Sequence, residues 1–413
     1  MGRVRLFRCC RKRPAGIAAF NGETPATQPA EPQPVVLRPT ARPAVVEGLH
    51  VYFGNLHAHT ANSDGTGTPD EAFAYARDVA KLDFLAVTEH NHLLGGDKAK
   101  PEQRAALYQG PGPTALLPAA AKNDRPGSFV AIYGQEFSSM SKGNHVNLFD
   151  VPQVIDVPNG KFDGLLDWMK THKDSTGQTA VVQFNHPGLS FPPNVIAKNE
   201  YGRDDFGNDA EWIKRMGEVT SLIELLNGEP EAKATFGRSP QIMESDFRLF
   251  LREGFKLAPT GNQDNHHKLW GSSTDSRTGV IAGELTKPSL LTAMRQRHTY
   301  ASEDKNLVVI VTVNNKLAGD VLGKPGPLDV AIHISDPDER AVKYTIEAVR
   351  GSIKGPAAEV VATATLDGNM PDNEYRAFDG LSLTAADQFL YFRITQVSPQ
   401  GTDRAWTAPV WAN

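Results

Sequence analysis

LDFLAVTEHNH, residues 82–92, runs apolar from Phe84 through Val87 and then breaks at once into threonine, glutamate, histidine, asparagine and histidine. An unbroken apolar run of this length is what a strand carries when both of its faces are covered, as in a parallel sheet flanked by helices. The segment before it, TPDEAFAYARDVA (residues 68–80), has the marks of a helix: Thr68 as N-cap, Pro69 at the first helical position and Glu71 completing a capping box. Ala72, Phe73, Ala76, Val79 and Ala80 make its expected apolar stripe.

The same event recurs down the chain. SFVAIYGQEFSS (128–139), TAVVQFNHPG (179–188), SLIELLNGE (221–229) and FKLAPTGNQDNHH (255–267) each run apolar and then turn polar or ionisable. Strands that alternate with helices and end in reactive side chains predict an α/β barrel with its site at the carboxyl ends of the strands. After the helical stretch KPSLLTAMRQRH (287–298) the pattern changes. NLVVIVTVNNKLAGDVL (306–322), LDVAIHISD (328–336), VKYTIEAVRG (342–351), AEVVATATLDG (358–368) and FLYFRITQVS (389–398) are short runs separated by turn residues. They predict a small all-β sandwich.

Three segments are therefore expected: a disordered basic and Pro-rich tail over 1–48, a barrel over 49–303 and a β-sandwich over 304–413. The tail holds GETPATQPAEPQPVVLRPTARPAVV (22–46), which has no aromatic residue and is expected to be an extended linker. It also holds both cysteines, the adjacent Cys9 and Cys10, so histidine and carboxylates must supply any metal-binding chemistry in the body. GIAAF (16–20) is too short for a secretory apolar segment, and no run is long enough to span a bilayer. A soluble chain is expected, cytoplasmic, or periplasmic or secreted if the true start lies upstream. The formal net charge of −5 and the lack of a basic stripe in the body argue against a nucleic-acid partner.

The ionisable residues at the strand ends are His57, His59 and Asp64 in YFGNLHAHTANSDG (52–65), then Glu89, His90 and His92, Glu136 and His145, His186, and Asp264, His266 and His267. Each alone has a plain reading. His57 and His59 share a face of any strand, His186 before Pro187 can cap a turn, and Glu136 can be a solvated strand end. Gathered on one rim, they call for a cation to organise them.

NLHAHTANSDG, FLAVTEHN, GQEFSS with GNHVN, FNHPG and GNQDNHH together resemble the successive metal motifs of the PHP (polymerase and histidinol phosphatase) family of metal-dependent phosphoesterases. The resemblance covers about residues 50–303 and is strongest to stand-alone bacterial members with a C-terminal β-sandwich, some described as ester or carbamate hydrolases. It implies a distorted (β/α)7 barrel holding up to three divalent ions. It makes ligands of His57, His59, Asp64, His90, Glu136, His145, His186, Asp264 and His266, with Glu89 standing where many members have Asp.

Mixed imidazole and carboxylate donors suit Zn, Mn or Fe. Three divalent ions against three carboxylates and one bridging hydroxide leave a local charge of roughly +2, which favours an anionic substrate. The expected function is hydrolysis of a small phosphate mono- or diester by a metal-bridging hydroxide, with Glu136, Asp264, His266 and Arg277 as catalytic candidates. The alternatives are a carboxyl-ester or carbamate hydrolase on the same scaffold and a non-catalytic binding protein. Arg277 is a candidate phosphate clamp. Asn227 and Glu224 are candidate substrate contacts, Lys142 and Lys268 candidate rim charges, and Trp270 a candidate pocket wall.

Overall fold

The computed structural model describes residues 31–137, 145–158, 161–187, 210–231 and 240–413, and residues Pro32–Asn413 form one unit. Its strands are β1 (Gln33–Val35), β2 (Arg38–Thr40), β3 (His50–Asn55), β4 (Phe84–His90), β5 (Val130–Phe137) and β6 (Val146–Phe149). They continue with β7 (Val182–Phe184), β8 (Thr220–Asn227), β9 (Gln241–Ile242), β10 (Ala258–Gly261), β11 (Arg277–Ala282) and β12 (Thr299–Ser302). Helices α1 (Pro69–Asp78), α2 (Pro101–Gln109), α3 (Leu116–Asn123), α4 (Phe162–Thr171), α5 (Ala210–Gly217), α6 (Glu244–Glu253) and α7 (Lys287–Arg295) fall between them. Among the described residues no helix is long and apolar enough to cross a membrane.

The apolar runs fold as expected. Every residue of β4, β5 and β8 is buried. α1 starts with the capping box: Thr68 Oγ1 accepts from Glu71 N–H at 3.2 Å, and Glu71 Oε2 accepts from Thr68 N–H at 2.8 Å. Ala72, Phe73 and Ala76 are buried, whereas Val79 is 59% exposed, because the helix ends at Asp78 and Val79 falls outside its repeat.

β3, β4 and β5 pair in parallel, as do β7 with β8 and β8 with β10. β6 runs antiparallel between β5 and β7, and β11 runs antiparallel beside β3. Among the described residues these ladders do not close the α/β barrel expected from the strand–helix alternation, nor the (β/α)7 form that the resemblance implies, because no ladder joins β10 to β11. Side chains bridge that gap. Thr278 Oγ1 accepts from Gly261 N–H at 3.0 Å and lies 3.1 Å from both Gly261 O and Asn262 Oδ1, to one of which it donates. Thr299 Oγ1 donates to Pro259 O at 3.1 Å. The overall class is mixed α/β, with more sheet than helix.

β12 pairs with Thr402–Thr407, so one sheet continues from the first half of the chain into the second. There Lys343–Ser352, Glu359–Asp367 and Gln388–Val397 pair antiparallel, with Tyr344, Ile346 and Ala348 buried at every second position. A second sheet holds Val308–Val313, Val330–Ser335 and Tyr375–Ala377. Val309, Val311, Ile332 and Ile334 of this sheet share one core with Ile346, Phe392 and Ile394 of the first.

Two edges are supplied by the Pro-rich stretch. β1 lies parallel to Glu359–Asp367, and β2 lies antiparallel to Tyr375–Ala377. Pro34 and Pro39 are tolerated there because an outermost strand has one side on which no ladder donor is needed.

Replacing Thr278 with Val keeps the shape but leaves the buried Gly261 N–H unpaired at the seam. The expected loss is about 1–3 kcal/mol of unfolding free energy. It should show as a lower denaturant midpoint with an unchanged slope, and an unchanged midpoint would show that the seam does not depend on this bridge.

Candidate metal centre

The carboxyl ends of the parallel strands lie side by side, and the sheet register sets which residues meet there. His90, the last residue of β4, is paired directly with Glu136 of β5. His57 and His59 follow β3, where a bridge between Ala58 and Asn265 and a bond from His59 N–H to Asn265 O of 2.8 Å lock that segment to the one after β10. Asp264 and His266 are thereby brought beside His57 and His59. Asp64 arrives through a tight turn closed by Gly65 N–H on Thr60 O. A Cβ on Gly65 would sit 2.7 Å from the His59 carbonyl carbon, so the turn tolerates only glycine. His145 immediately precedes β6, and His186 lies two residues beyond β7. His186 and Asp264 both hold positive φ, 27° and 50°, a backbone cost of the kind that collects at functional positions.

All nine expected ligands enter one cluster. Four groups each place their donor atoms within 4.8 Å of one another: His59, Asp64, His90 and His266; His57, His186 and Asp264; His57, His59 and Glu136; and His90, Glu136 and His145. Glu136 is the hub. Its Oε1 lies 2.9 Å from His145 Nδ1 and 3.3 Å from His186 Nε2, while its Oε2 lies 2.9 Å from His90 Nδ1 and 3.3 Å from His59 Nε2. Asp264 Oδ1 is 3.2 Å from the Nε2 atoms of both His57 and His59, which are themselves 3.1 Å apart.

This arrangement fits cations better than it fits hydrogen bonds. Glu136 Oε2, Asp264 Oδ1, His59 Nδ1 and His186 Nδ1 are all buried and without a hydrogen-bond partner among the described residues. Unpaired buried polar atoms are costly, and four in one cluster mark a place where another group completes the bonding.

A further layer of side chains aims the first. Glu224 Oε1 lies 2.8 Å from His57 Nδ1, and Glu224 Oε2 accepts from His186 N–H at 2.6 Å and Asn227 Nδ2 at 2.7 Å. An imidazole that donates through Nδ1 presents a bare Nε2 to the cluster, the usual orientation of a metal-bound histidine. Glu229, fully buried, accepts from His266 N–H at 2.9 Å and Asn265 Nδ2 at 2.5 Å, and lies 2.7 Å from His267 Nδ1. Glu89 accepts from Thr60 N–H and from the hydroxyls of Thr60 and Ser63, pinning the loop that carries Asp64. Burial raises the Glu89 carboxyl above its ordinary value, and also that of Glu229.

The electrostatics agree. Burial alone would push the Glu136 carboxyl up, but the imidazoles of His145, His90 and His57 hold it well below the ordinary range. Burial would likewise raise Asp264 and Asp64, which the surrounding histidines instead hold down. Conversely, burial would lower His57 and His90, yet the facing carboxylates hold both well above the ordinary histidine value. His266 is raised to about 9 for the same reason. His145 is the exception, lowered by burial to about 4. The carboxylates demand positive charge, which protons supply in the ion-free protein.

The remaining candidates separate. Arg277 is buried and donates to the carbonyls of Thr274 and Ser276, so its guanidinium is engaged with its own turn. Lys268 pairs with Glu71 at the surface. Trp270 packs beneath the site, donating to His59 O at 3.0 Å. Glu224 lies against His57 and accepts from Asn227, and His267 lies 2.7 Å from Glu229. His92 stands 5.6 Å from His90, ring centre to ring centre. Lys142 lies outside the described residues. The supporting role of Glu229 was not foreseen, although its place after an apolar run, like that of Glu136, was the available signal.

No family model matches the chain. An uncharacterized protein of Chlamydia muridarum is 24% identical over 391 residues, covering 88% of this chain and 57% of that protein. A Chlamydia pneumoniae protein, also described as uncharacterized, is 31% identical over 252 residues, 55% of this chain and 39% of that one. The chain spans a little over half the length of the first of these relatives and less of the second. A two-domain protein from Bacteroides vulgatus, described as containing a predicted PHP-like metal-dependent phosphoesterase, superposes with a TM-score of 0.46 at 15% identity, covering 89% of this chain and 95% of that one.

Coordination needs neutral imidazoles, whereas His57, His90 and His266 favour their protonated forms in the ion-free protein. Divalent-ion affinity should therefore climb as pH rises towards about 9, and loading at neutral pH should release protons. Calorimetry in buffers of different ionisation enthalpy reads this directly, and loading without proton release would contradict it. Glu224→Gln should weaken ion affinity about 10–100-fold by loosening the orientation of His57.

Proposed function

We propose that this chain hydrolyses a small phosphate mono- or diester with the help of divalent metal ions. The observation that carries the proposal is the convergence of six imidazoles and three carboxylates in one cluster, where one oxygen each of Glu136 and Asp264 lacks a hydrogen-bond partner among the described residues. Phosphate is favoured over a neutral ester by the positive charge such a donor set would gather and by the five ordered motifs that resemble the PHP family. Ions held by these nine residues would supply Lewis-acid charge and lower the pKa of a water molecule.

The chain's own residues set the direction of approach. The side chains of His57, His59 and Glu136 are at most 1% exposed, whereas Asp64 is 31%, Asp264 13% and His266 11% exposed. His145 is 15% exposed as well, so substrate enters from the side of Asp64, His145, Asp264 and His266. Glu136, with two oxygens turned to different histidines, ties the inner groups together. Glu224 and Glu229 keep the ligands from relaxing when substrate binds, which is how an electrostatic site retains its complementarity to developing charge. Arg277 is not assigned a role with substrate, since carbonyls of its own turn hold it.

The test is a panel of aryl phosphate, phosphodiester, carboxyl ester and carbamate substrates with protein loaded with Zn, Mn or Fe. Phosphate esters should be cleaved, exhaustive chelation should abolish the rate, and Asp264→Asn should lower kcat by about 100-fold or more. Phosphate hydrolysis that survives chelation would refute the proposal, as would cleavage confined to the carboxyl ester or carbamate.

A further inference from the structure

A cavity of about 690 Å³ lies beside the residues that follow ligand His90, and none of the nine clustered side chains lines it. Its inner end is Asn91 and His92, the two residues after ligand His90, and its outer walls come from α2, from α4 and from residues 153–158. The size is that of a small-molecule site.

The lining is unusual for a void between helices. Asn91, Asp97, Arg104, Gln109 and Gln153 all carry planar side chains with paired donor or acceptor atoms, and Trp168, with His172 stacked on one of its faces at 4.0 Å, supplies an apolar wall. Two of these side chains have unmet bonding capacity. Asn91 is 2% exposed, and its Oδ1 has no hydrogen-bond partner among the described residues. The buried Nε of Arg104 has none either among the described residues.

Acidic and basic groups are mixed, so the cavity does not select for charge of one sign. It also has too many polar groups for a purely apolar guest. A hydroxyl group both donates and accepts, and neighbouring hydroxyls match the paired atoms of Asn, Gln, Asp and Arg side chains. The face of a large aromatic ring suits the C–H side of such a ligand.

We propose that this cavity binds the polyhydroxylated part of the substrate, a hexose or cyclitol, while its phosphate lies at the metal cluster. This rests on the phosphoesterase reading and names its substrate class. Arg104 and Gln153 take the hydroxyls, Asn91 receives the hydroxyl closest to the scissile bond, and Trp168 covers the ring.

The test uses the metal-loaded full chain and compares kcat/KM for a series of hexose and inositol phosphates with that for p-nitrophenyl phosphate. The wild type is expected to prefer at least one polyol phosphate by about tenfold or more, and Arg104→Ala and Gln153→Ala are each expected to reduce that ratio by about tenfold with metal content unchanged. A wild type that prefers the aryl phosphate, or variants that leave the ratio as it was, would overturn the assignment while leaving the phosphoesterase reading intact. If no phosphate ester is cleaved, that reading fails, and calorimetry with unphosphorylated hexoses and inositol decides the cavity separately. Binding of one of them that is weakened in Arg104→Ala would support the assignment, and absence of binding would overturn it.

Discussion

Glu136 and Asp264 bring their carboxylates into a place largely closed to water, with side chains 1% and 13% exposed. A buried carboxylate is stable only if it is paired or fully hydrogen-bonded, yet one oxygen of each has no such bond among the described residues. Six imidazoles stand round them. Either protons on those rings or metal ions must neutralise the carboxylates, and the rest of the first half of the chain can be read as the apparatus that keeps these groups together.

That apparatus is built from strand ends. Parallel neighbours deliver their carboxyl ends to one side of a sheet, so a ligand placed just beyond each apolar run meets the others without any long-range design. The direct pairing of His90 with Glu136 is the simplest case. Where strand ends do not suffice, buried carboxylates finish the work: Glu224 turns His57, Glu229 holds the backbone of His266, and Glu89 fixes the turn that carries Asp64. The left-handed backbone at His186 and Asp264 is a cost met by this surrounding network of hydrogen bonds.

Much of this was legible in the sequence, and the reasons differ by residue. The strands β4, β5 and β8 announced themselves because burial on both faces requires an unbroken apolar run. The α1 start was legible because capping is local chemistry. Closure of the sheet was not legible, since it depends on whether β10 and β11 share a backbone ladder or, as here, a threonine hydroxyl. The helix stops one residue before Val79 and two before Ala80, a boundary the apolar spacing does not reveal. Glu224 and Glu229 illustrate the limit for the site: a carboxylate within or just beyond a strand looks the same in sequence whether it meets a metal, a ligand's second nitrogen or solvent. Only the three-dimensional register separates them. Arg277 shows the converse, a charge close in sequence to the ligands whose own turn captures it.

The central claim is that the nine clustered side chains hold divalent ions. Elemental analysis of the purified, dialysed protein together with anomalous diffraction at the edge of the metal found tests it most directly. The account predicts more than one tightly held ion per chain, with peaks within bonding distance of Glu136 and Asp264. A protein that retains no divalent ion after dialysis and takes none up at neutral pH, or that holds its metal away from these two carboxylates, would contradict it.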